Sequence, residues 1–598
     1  MPTRLWISSW SMCRRGNRNM LKAWLDGGCG VDLESGASFI LKAGETLLID
    51  LASGGHWFGH GFSHVQPYPL ESGTIVNKTF AVNNIQSPVW MCSAGYALLA
   101  DTKDPLDVRI NENGNGRLSL ASVTGAAVPV RVFRGGSLPE GRAALMKSLG
   151  WPNKPPAAAM FGDSLFCTWT QFPRCLSQER VVGMARQIRA RGYPCSTLII
   201  DDRWESCFGE LSFSRDFPDP KGMIDELRTA GFGVWLWVTP FVNQESAVYG
   251  ELAAKGVLVR SSDGSGAAPM KWWGGTAGLV DLTGRAGREW MKERLMRLKN
   301  DFGVEGFKID GGDFKYQPAP EISAWQRFLG ASGYSDALLS LFEEVSPNAC
   351  ETRTAWLSQG RSILWREGGK DSHWGQDNGL KAMVALGIHL GLMGYDILIP
   401  DMIPGRVQTM VSEMALPSDE LMVRWTEASA FFPIMQFSYV PWNYAGATEE
   451  AVRGFALLHK ALEGYIVAQA ANRAAPLLRP IWYDAPGREE LYGATDEFML
   501  GGDILVAPVL DPGIVTRDII LPPGDWIDAW TGAGFAEGRI TGHPAPCPGM
   551  PVFVRGNRKD LAALMKNCLR DIKRGSVESG ITTTKYSAGL DRDLSVTG

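Results

Sequence analysis

The sequence lacks three features that mark common protein classes. No apolar run reaches the length of about 18 residues that a membrane-spanning helix needs. The ten cysteines form no Cys-x-x-Cys pair, so they are predicted to be buried thiols and no zinc site is predicted from them. The formal charge of −5 provides no basic surface for nucleic acid. A membrane protein and a nucleic-acid-binding protein are therefore both disfavoured.

The first 20 residues also lack the pattern of a secretory signal. Such a signal carries an uninterrupted apolar segment after a basic start. Here Arg14, Arg15, Arg18 and several serines interrupt the segment from residue 6 to residue 20. The expected location is therefore the cytoplasm or another reducing compartment, and a removed or missing start of the chain stays open.

The length of 598 residues exceeds what one hydrophobic core usually serves, so a main domain with accessory domains is expected. From about residue 22 to 150 the chain shows short apolar alternations separated by Gly, Asn, Asp and Pro. This rhythm is typical of a β-sandwich. Residues 1–151 are predicted to form this domain.

After Pro152 the segments alternate between strand and helix character. A β-branched run at 196–200 ends in Asp201 and Asp202, helical spacing follows at 220–230, and a second strand is predicted at 233–238. Such alternation is typical of a (β/α)8 barrel or a doubly wound sheet. Residues 152–488 are assigned to this main domain.

Short strands return beyond residue 488, with turns such as Pro522-Pro523-Gly524. Residues 489–558 are therefore predicted to be a second β domain. Residues 559–598 begin with a short amphipathic helix and continue as Gly-, Ser- and Thr-rich polar sequence without apolar periodicity. This segment is predicted to be a disordered tail.

Two acids stand out as candidate catalytic groups. Asp310 ends the strand-like run 304–309, and Gly311 and Gly312 prevent that strand from continuing. In an α/β barrel such a strand end lies on the catalytic face. Asp377 lies in a later loop that also contains Trp374. Two carboxylates on the same face of a barrel are the minimum set of catalytic groups for cleaving a glycosidic bond.

The residues beside these acids suggest different roles for them. Lys308 shares a strand face with Asp310 and is expected to help keep it ionised, as a nucleophile requires. Asp377 has Trp374 nearby and no adjacent lysine, so it is better placed to stay protonated and act as the acid and base.

An aspartate after a strand can equally be a helix N-cap or a charge on the rim. The same holds for Asp201, Asp202, Asp313 and Asp401, so the pattern alone does not select two acids.

The arginines and tryptophans that could bind a sugar can also be explained as structural residues. Arg353 and Arg366 could bind sugar hydroxyls or form structural ion pairs. Five tryptophans could line the bottom of a sugar pocket or could pack in a hydrophobic core: Trp169, Trp204, Trp237, Trp374 and Trp442.

A histidine cluster could suggest a metal site. It consists of His56, His60 and His64 in a Gly-rich stretch. No carboxylate or cysteine completes it at ligand spacing, so no metal is predicted.

Several separated motifs, taken in order, resemble glycoside hydrolase family 31. They are FKIDGGD (307–313), WR (365–366), DSHWGQD (371–377), GYDILIPDM (394–402), RPIW (479–482), FMLGGDILVAPV (498–509) and LPPGDW (521–526). The resemblance spans roughly residues 50 to 555. It implies an N-terminal β-sandwich, a (β/α)8 TIM barrel and a C-terminal β-sandwich domain.

The same resemblance implies a retaining double displacement on α-linked sugars, without a metal or organic cofactor. Asp310 would be the nucleophile and Asp377 the acid/base. A retaining outcome predicts carboxyl groups about 5 to 5.5 Å apart.

Within the family, the chain is most similar to the branch that contains myogenesis-regulating glycosidase, which acts on α-galactosides. The similarity lies in IDDRWE (200–205), Lys308 and QFS (436–438). The α-glucosidase branch typically has Trp at the position of Lys308 and His at that of Ser438. The resemblance implies these substrate-binding residues: Asp201, Asp202, Trp204, Trp237, Lys308, Arg366, Trp374, Asp401, Gln436 and Ser438.

An α-galactosidase is therefore the favoured interpretation, with a carbohydrate as the partner and neither nucleic acid nor membrane. Within the family, α-glucosidase, α-xylosidase, sulfoquinovosidase or transglycosylase activity stays open. A sugar-binding homologue without turnover and a metal-dependent barrel hydrolase are hypotheses of other classes. The oligomeric state, including a homo-oligomer, is left open.

Overall fold

The structure is a computed structural model that describes residues 21–33, 38–61, 67–78, 84–152, 155–173, 175–317, 332–406 and 416–578. The segments 1–20 and 579–598 lie outside the described residues, as does His64. Within the described ranges, no helix is both long and apolar enough to cross a membrane.

Two antiparallel sheets form the N-terminal domain. Their strands are β1 (Ala23–Leu25), β2 (Gly30–Val31), β3 (Ser38–Leu41), β4 (Thr46–Asp50), β5 (Trp57–Gly61), β6 (Ile75–Lys78), β7 (Gln86–Cys92), β8 (Tyr96–Ala100), β9 (Leu106–Ile110), β10 (Arg117–Ser122) and β11 (Val128–Arg134). One sheet has the order β2-β1-β4-β10-β9-β6 and the other β3-β11-β8-β7-β5. Alternate residues of β4 and β11, such as Ile49 and Val130, share one buried core. The predicted β-sandwich is confirmed.

Eleven strands follow in the central domain. They are β12 (Leu165–Cys167), β13 (Thr197–Ile200), β14 (Gly233–Val238), β15 (Phe241–Asn243), β16 (Pro269–Trp272), β17 (Gly275–Leu279), β18 (Gly306–Ile309), β19 (Cys350–Thr352), β20 (Leu364–Arg366), β21 (Leu398–Ile399) and β22 (Gln436–Phe437). Eight of them form a parallel sheet in the order β21-β20-β19-β18-β14-β13-β12-β22. Ile403, just after β21, donates its N–H to the carbonyl of Gln436 in β22 at 2.9 Å. This bond brings the two ends of the sheet together, so the predicted barrel is confirmed.

The helices are α1 (Leu51–Gly54), α2 (Leu138–Leu149), α3 (Gln178–Ala190), α4 (Pro220–Thr229), α5 (Tyr249–Ala254), α6 (Arg285–Arg297), α7 (Gly333–Val345), α8 (Leu380–Leu392), α9 (Asp419–Ser429), α10 (Gly446–Ala461), α11 (Glu463–Ala470) and α12 (Lys559–Glu578). Local sequence explains their starts. At α4, for example, Asp219 accepts a hydrogen bond from the N–H of Gly222 and Pro220 occupies the first turn, which is a favourable helix beginning. The strands are explained by burial: all four residues of β13 are buried, as expected for a parallel strand covered on both faces.

The C-terminal domain contains β23 (Leu478–Pro480), β24 (Phe498–Leu500), β25 (Ile504–Val506), β26 (Thr516–Leu521), β27 (Trp526–Asp528), β28 (Gly534–Phe535), β29 (Gly538–Pro544) and β30 (Val552–Arg555). Six of them form a sheet in the order β23-β24-β25-β30-β27-β28, and β26 pairs with β29. The predicted C-terminal β domain is confirmed. Its first strand lies ahead of the predicted boundary at residue 488. Pro480 weakens the strand signal there, and β23 tolerates it because it is an edge strand.

The helix α12 is the amphipathic helix that the sequence predicted after residue 559, but it is longer than predicted, so the chain is helical as far as residue 578. The polar sequence predicted to be disordered after it lies outside the described residues. The helix has 20 residues, and its buried residues Leu561, Met565, Leu569 and Ile572 lie on one face. That face packs on α10, where Gly454 provides the space for Ile572. The sequence showed the amphipathic pattern but gave no sign of the partner surface that makes the helix stable.

Candidate active site

The predicted acids lie at the carboxyl ends of the barrel strands. Asp201 directly follows β13, Asp310 follows β18 and Asp401 lies just beyond β21. Because these three strands run parallel in one barrel, their carboxyl ends lie at the same mouth. The fold therefore gathers acids that are far apart in the sequence.

Asp310 is held by three donors. The Nε of Arg353 lies 2.5 Å from its Oδ1, the N–H of Gly311 donates to the same oxygen at 3.1 Å, and the indole Nε1 of Trp237 donates to Oδ2 at 3.3 Å. Gly311 and Gly312 both have positive φ angles, +76° and +80°, which glycine adopts without strain. The turn after β18 thus aims the carboxylate at its donors.

The charge state of Asp310 depends on its surroundings in two opposing ways. Burial raises the pKa of the carboxyl group, but the positive charges of Arg353 and Arg366, with the Arg353 hydrogen bond, hold the pKa below its usual range. Lys308 contributes less than these arginines. The sequence predicted that Lys308 would help to keep Asp310 ionised, and its charge does lower the pKa of Asp310. The direct partner of Lys308 is another acid, because its Nζ lies 3.0 Å from the Oδ2 of Asp201.

Below Asp310, a network of buried charges links several strands. Lys308 Nζ also lies 3.9 Å from the Oε1 of Glu351, and Arg366 bridges Glu351 at 3.1 Å and Asp401 at 2.9 Å. The amide of Gln436 donates to Glu351 Oε2 at 2.8 Å. Burial raises the pKa of Glu351 in spite of Lys308 and Arg366.

Sequence reasoning missed Glu351. Its only signal is an acid within the otherwise uncharged strand β19. The network nevertheless pairs it with Lys308, Arg366 and Gln436, three residues that the sequence had selected.

Asp202 differs from its neighbours because it is partly accessible. Burial and the negative charges of Asp201 and Asp310 raise the pKa of Asp202 to about 7. Its Oδ1 has no hydrogen-bond partner among the described residues. A carboxyl group of this kind, beside an ionised one, can exchange a proton near neutral pH.

Burial divides the ten predicted substrate-binding residues. Asp202 and Trp374 are partly accessible, and Asp201, Trp237, Lys308 and Arg366 keep between 1% and 3% of their surface. Four are 0% exposed: Trp204, Asp401, Gln436 and Ser438. The indole of Trp204 donates to the carbonyl of Trp237 at 2.7 Å, and Ser438 Oγ accepts from the N–H of Thr170 at 2.7 Å.

These four residues expose no surface in this structure. Their role as substrate contacts stays a prediction. A motif match identifies a position in the sequence but does not show how deeply its side chain is buried. Of the remaining candidate tryptophans, Trp169 and Trp442 are partly buried and pack against apolar core residues.

Asp377 occupies a different environment from Asp310. Its side chain is 72% exposed, with its Oδ1 3.8 Å from the Nδ1 of His373. It lies in the loop between β20 and α8, open to solvent. Its assignment as the acid/base and the 5 to 5.5 Å separation from Asp310 stay predictions.

The N-terminal domain reaches this site through Asn84. Asn84 Oδ1 accepts a hydrogen bond from Arg353 Nη1 at 2.9 Å, and its N–H donates to Asp313 Oδ1 at 2.9 Å. The same arginine lies 3.7 Å from Asp313 Oδ2. Sequence reasoning missed Asn84, because nothing in a sandwich loop points to a barrel.

The histidines considered as metal ligands have other partners. His56 lies between Glu71 at 2.8 Å and Glu489 at 2.7 Å, and His60 contacts Asn77 at 3.2 Å. Among the described residues, no group of three or more His, Cys, Asp or Glu side chains is arranged to hold a metal ion.

Family models match three parts of the chain. Residues 153–469 match the glycosyl hydrolases family 31 TIM-barrel domain, and residues 474–558 match the glycosyl hydrolase family 31 C-terminal domain. Residues 42–144 match the myogenesis-regulating glycosidase N-terminal domain. These three ranges follow the three structural domains.

Individual proteins show the same similarity. The chain is 35% identical over 387 residues to myogenesis-regulating glycosidase of Mus musculus, covering 63% of this chain and 53% of that protein. It is 30% identical to 1,3-alpha-isomaltosidase of Kribbella flavida, covering 57% and 50%. The chain thus matches about half the length of these relatives. A solved family 31 alpha-xylosidase from a soil metagenome, complexed with xylose, superposes with a TM-score of 0.73 at 23% identity, covering 90% of this chain and 83% of that one.

Proposed function

The chain belongs to glycoside hydrolase family 31, and we propose that it is a retaining α-glycoside hydrolase that acts on terminal α-linked sugars. Asp310 is the nucleophile in this proposal and Asp377 the acid/base. The observation that carries it is the environment of Asp310, whose pKa is held low by arginines while the carboxylate stays at a strand end of the barrel mouth.

The proposed reaction has two steps. An oxygen of Asp310 bonds to the anomeric carbon as the glycosidic bond breaks, and Asp377 gives its proton to the departing oxygen. Water then attacks the glycosyl ester, loses a proton to Asp377 and releases Asp310. The exposed loop position of Asp377 supports this role, because both the leaving group and the water must reach it.

We further propose that the glycone is an α-galactoside. The support is the polar floor of the site, where Lys308 takes the place that a tryptophan holds in the α-glucosidase branch and is charge-paired with Asp201. A buried polar group that bonds a substrate hydroxyl can strongly reject the epimer that lacks it. An α-galactoside offers the axial hydroxyl that such a floor can recognise.

The cytoplasmic location predicted from the sequence also remains a proposal. Its support is that the nine cysteines of the described residues are all free thiols. Free thiols are typical of reducing compartments.

Covalent labelling tests the nucleophile. A fluorinated α-galactosyl fluoride that traps the glycosyl ester is expected to add one sugar to the peptide containing Asp310, as read by mass spectrometry. Asp310→Asn is expected to abolish labelling, and Asp301→Asn, at a 55% exposed acid, is expected to label normally. A folded protein that binds galactosides yet never labels would favour the sugar-binding homologue.

Asp377 requires a separate measurement. Asp377→Ala is expected to slow glycosides with poor leaving groups much more than α-galactosyl fluoride, because fluoride departs with little help from an acid. Equal loss on both substrates would contradict the assignment. Release rates from aryl α-galactosides, α-glucosides and α-xylosides compare the glycones, and the absence of release from the galactoside alone would remove the galactoside preference.

A further inference from the structure

Asp371 and Asn378 close the loop that carries Asp377, which runs from β20 to α8. The N–H of Asp371 donates to the carbonyl of Asn378 at 3.0 Å. The Nδ2 of Asn378 donates back to Asp371 Oδ2 at 2.9 Å. Two hydrogen bonds in opposite directions therefore join the two ends of the segment 371–378, and Asp377 lies directly beside this junction.

Both members of the Asp371–Asn378 pair are buried, whereas the acid beside them is open to solvent. Asp371 keeps 6% and Asn378 keeps 7% of its surface, but the side chain of Asp377 is 72% exposed. The Nδ2 of Asn378 also donates to the carbonyl of Gly369 at 2.9 Å. A buried amide with fixed acceptors is held in one orientation. The backbone at residue 378 is thereby held in place, and the neighbouring Cα of Asp377 with it.

Arg406, which lies beyond β21, connects the pair to a second strand end of the barrel. The N–H of Arg406 donates to the carbonyl of Lys370 at 2.8 Å, and the N–H of Ser372 donates to the carbonyl of Arg406 at 2.9 Å. The Nε of Arg406 lies 3.4 Å from Asp371 Oδ1. Asp371 is therefore fixed on both sides by the chain that follows β21, so the barrel itself positions the loop.

His373 does not hold the Asp377 carboxylate. Its Nδ1 lies 3.8 Å from Asp377 Oδ1, which is too long for a hydrogen bond. The same Nδ1 accepts a hydrogen bond from the N–H of Gly375 at 3.0 Å, so it carries no proton that it could donate to Asp377. The position of Asp377 therefore depends on its backbone, which the Asp371–Asn378 pair holds.

We propose that Asp371 and Asn378 are positioning residues that hold Asp377 where it can give its proton to the departing oxygen. The inference rests on the proposed function and adds to it a pair of residues that do not touch the substrate. A general acid must come within hydrogen-bond reach of the atom that it protonates. A displacement of about 1 Å can cost about 100-fold in rate, so an exposed acid such as Asp377 needs a fixed backbone.

The test compares two substrates that share a glycone, phenyl α-galactoside and α-galactosyl fluoride. Asn378→Asp removes the amide donor and places two carboxylates opposite each other. It is expected to lower kcat/KM for the phenyl glycoside by about 10- to 100-fold and for the fluoride by no more than about 3-fold, because fluoride departs with little help from an acid. Since kcat/KM does not include the second step, the role of Asp377 as a base does not enter the comparison.

A double exchange keeps the pair while it reverses the donor and the acceptor. Asp371→Asn combined with Asn378→Asp again places an amide opposite a carboxylate. It is expected to raise kcat/KM for the phenyl glycoside by about 3-fold or more above that of Asn378→Asp alone, as contacting residues that are energetically coupled do. A merely structural loss in Asn378→Asp would lower both substrates together.

The matched control is Asn111→Asp, at an asparagine that holds a turn of the N-terminal domain. Its Oδ1 accepts from the N–H of Gly116 at 3.0 Å and its Nδ2 donates to the carbonyl of Glu71 at 3.2 Å. This variant is expected to change neither substrate.

Three results would overturn the positioning role: equal loss on both substrates in Asn378→Asp, no loss on the phenyl glycoside, or a double variant no better than Asn378→Asp. Asp377→Ala, measured in parallel, separates these results from an error in the acid/base assignment, because a correct assignment gives a loss confined to the phenyl glycoside. If the parent protein releases fluoride from none of the α-galactosyl, α-glucosyl and α-xylosyl fluorides, both this inference and the proposed function are wrong.

Discussion

The charge of Asp310 is controlled by Arg353 at the scale of single residues. The guanidinium combines a hydrogen bond to Oδ1 with a full positive charge, and charged hydrogen bonds of this kind are about twice as strong as neutral ones. The contact also determines which carboxylate oxygen of Asp310, Oδ1, accepts the hydrogen bond from Arg353. Arg353 therefore acts on both the pKa and the orientation of the proposed nucleophile.

Replacing Arg353 is expected to shift the pH dependence of the reaction. In Arg353→Met the pKa of Asp310 rises, by about 1 to 3 units for loss of one adjacent arginine. Since only the ionised carboxylate attacks, activity is lost first at low pH, and the acidic limb of the kcat/KM profile moves to higher pH. The profile is measured with α-galactosyl fluoride.

The control for this shift is Arg285→Met, because the Arg285 side chain is 88% exposed. It is expected to leave the acidic limb in place. An unmoved limb in Arg353→Met would mean that Arg366 alone keeps Asp310 ionised.

At the scale of elements, the parallel strands concentrate buried charges at one end of the barrel. Lys308 on β18, Glu351 on β19 and Arg366 on β20 come from three adjacent strands, and Asp201 follows a fourth. A buried charge is costly unless it is paired. The strands are therefore coupled through side chains as well as through the sheet.

Removing one member of the network is expected to destabilise the barrel. Lys308→Met leaves Asp201 and Glu351 without their shared cation, and breaking a buried pair costs about 3 to 5 kcal/mol in the free energy of unfolding. Urea titration followed by tryptophan fluorescence measures the loss. Adding Asp201→Asn to this variant is expected to recover part of it, because the unpaired charge is gone.

Lys292→Met provides the comparison. Lys292 pairs with Glu344 at the surface, where such a pair contributes about 0 to 1 kcal/mol. A loss in Lys308→Met no larger than in Lys292→Met would show that the network is not a stabilising unit.

At the scale of the whole molecule, the N-terminal sandwich is docked onto the rest of the chain near the site. His56 bridges to Glu489, Arg142 donates to the carbonyl of Leu392 at 2.7 Å, and Asn84 contacts Arg353. The first two contacts hold the domain in place. The third connects it to the side chain that controls Asp310.

Asn84→Ala is therefore expected to lower activity although Asn84 lies in another domain. A hydrogen bond to a charged group contributes about 1.5 to 3 kcal/mol, so kcat/KM is expected to fall by about 10-fold or more. The acidic limb of the kcat/KM profile is also expected to shift along the pH axis. A purely structural role for Asn84 would not produce that shift.

Asn115→Ala, at an exposed asparagine of the same domain, is expected to have no effect on the profile. If Asn84→Ala lowers the melting temperature but leaves kcat/KM and its pH dependence intact, Asn84 serves docking alone.

The amino-acid sequence by itself determined the three domains of the fold and the position of the acids at the ends of barrel strands. Alternating apolar residues, glycine and proline turns and buried β-branched runs are local signals, and each predicts its element without knowledge of the others. The acids at the ends of β13 and β18 followed from the same signals. Glu351 and Asn84 carried no comparable local signal.

Only the tertiary structure decided which side chains meet and how deeply they lie. Arg353 is 43 residues from Asp310 in the chain, and Asn84 is 269 residues from Arg353. The tertiary structure likewise paired Lys308 with Asp201, buried Trp204 and Ser438, and placed α12 against α10. Pairing and burial depend on distant segments that come together only when the chain folds, so a pattern within one segment does not contain them.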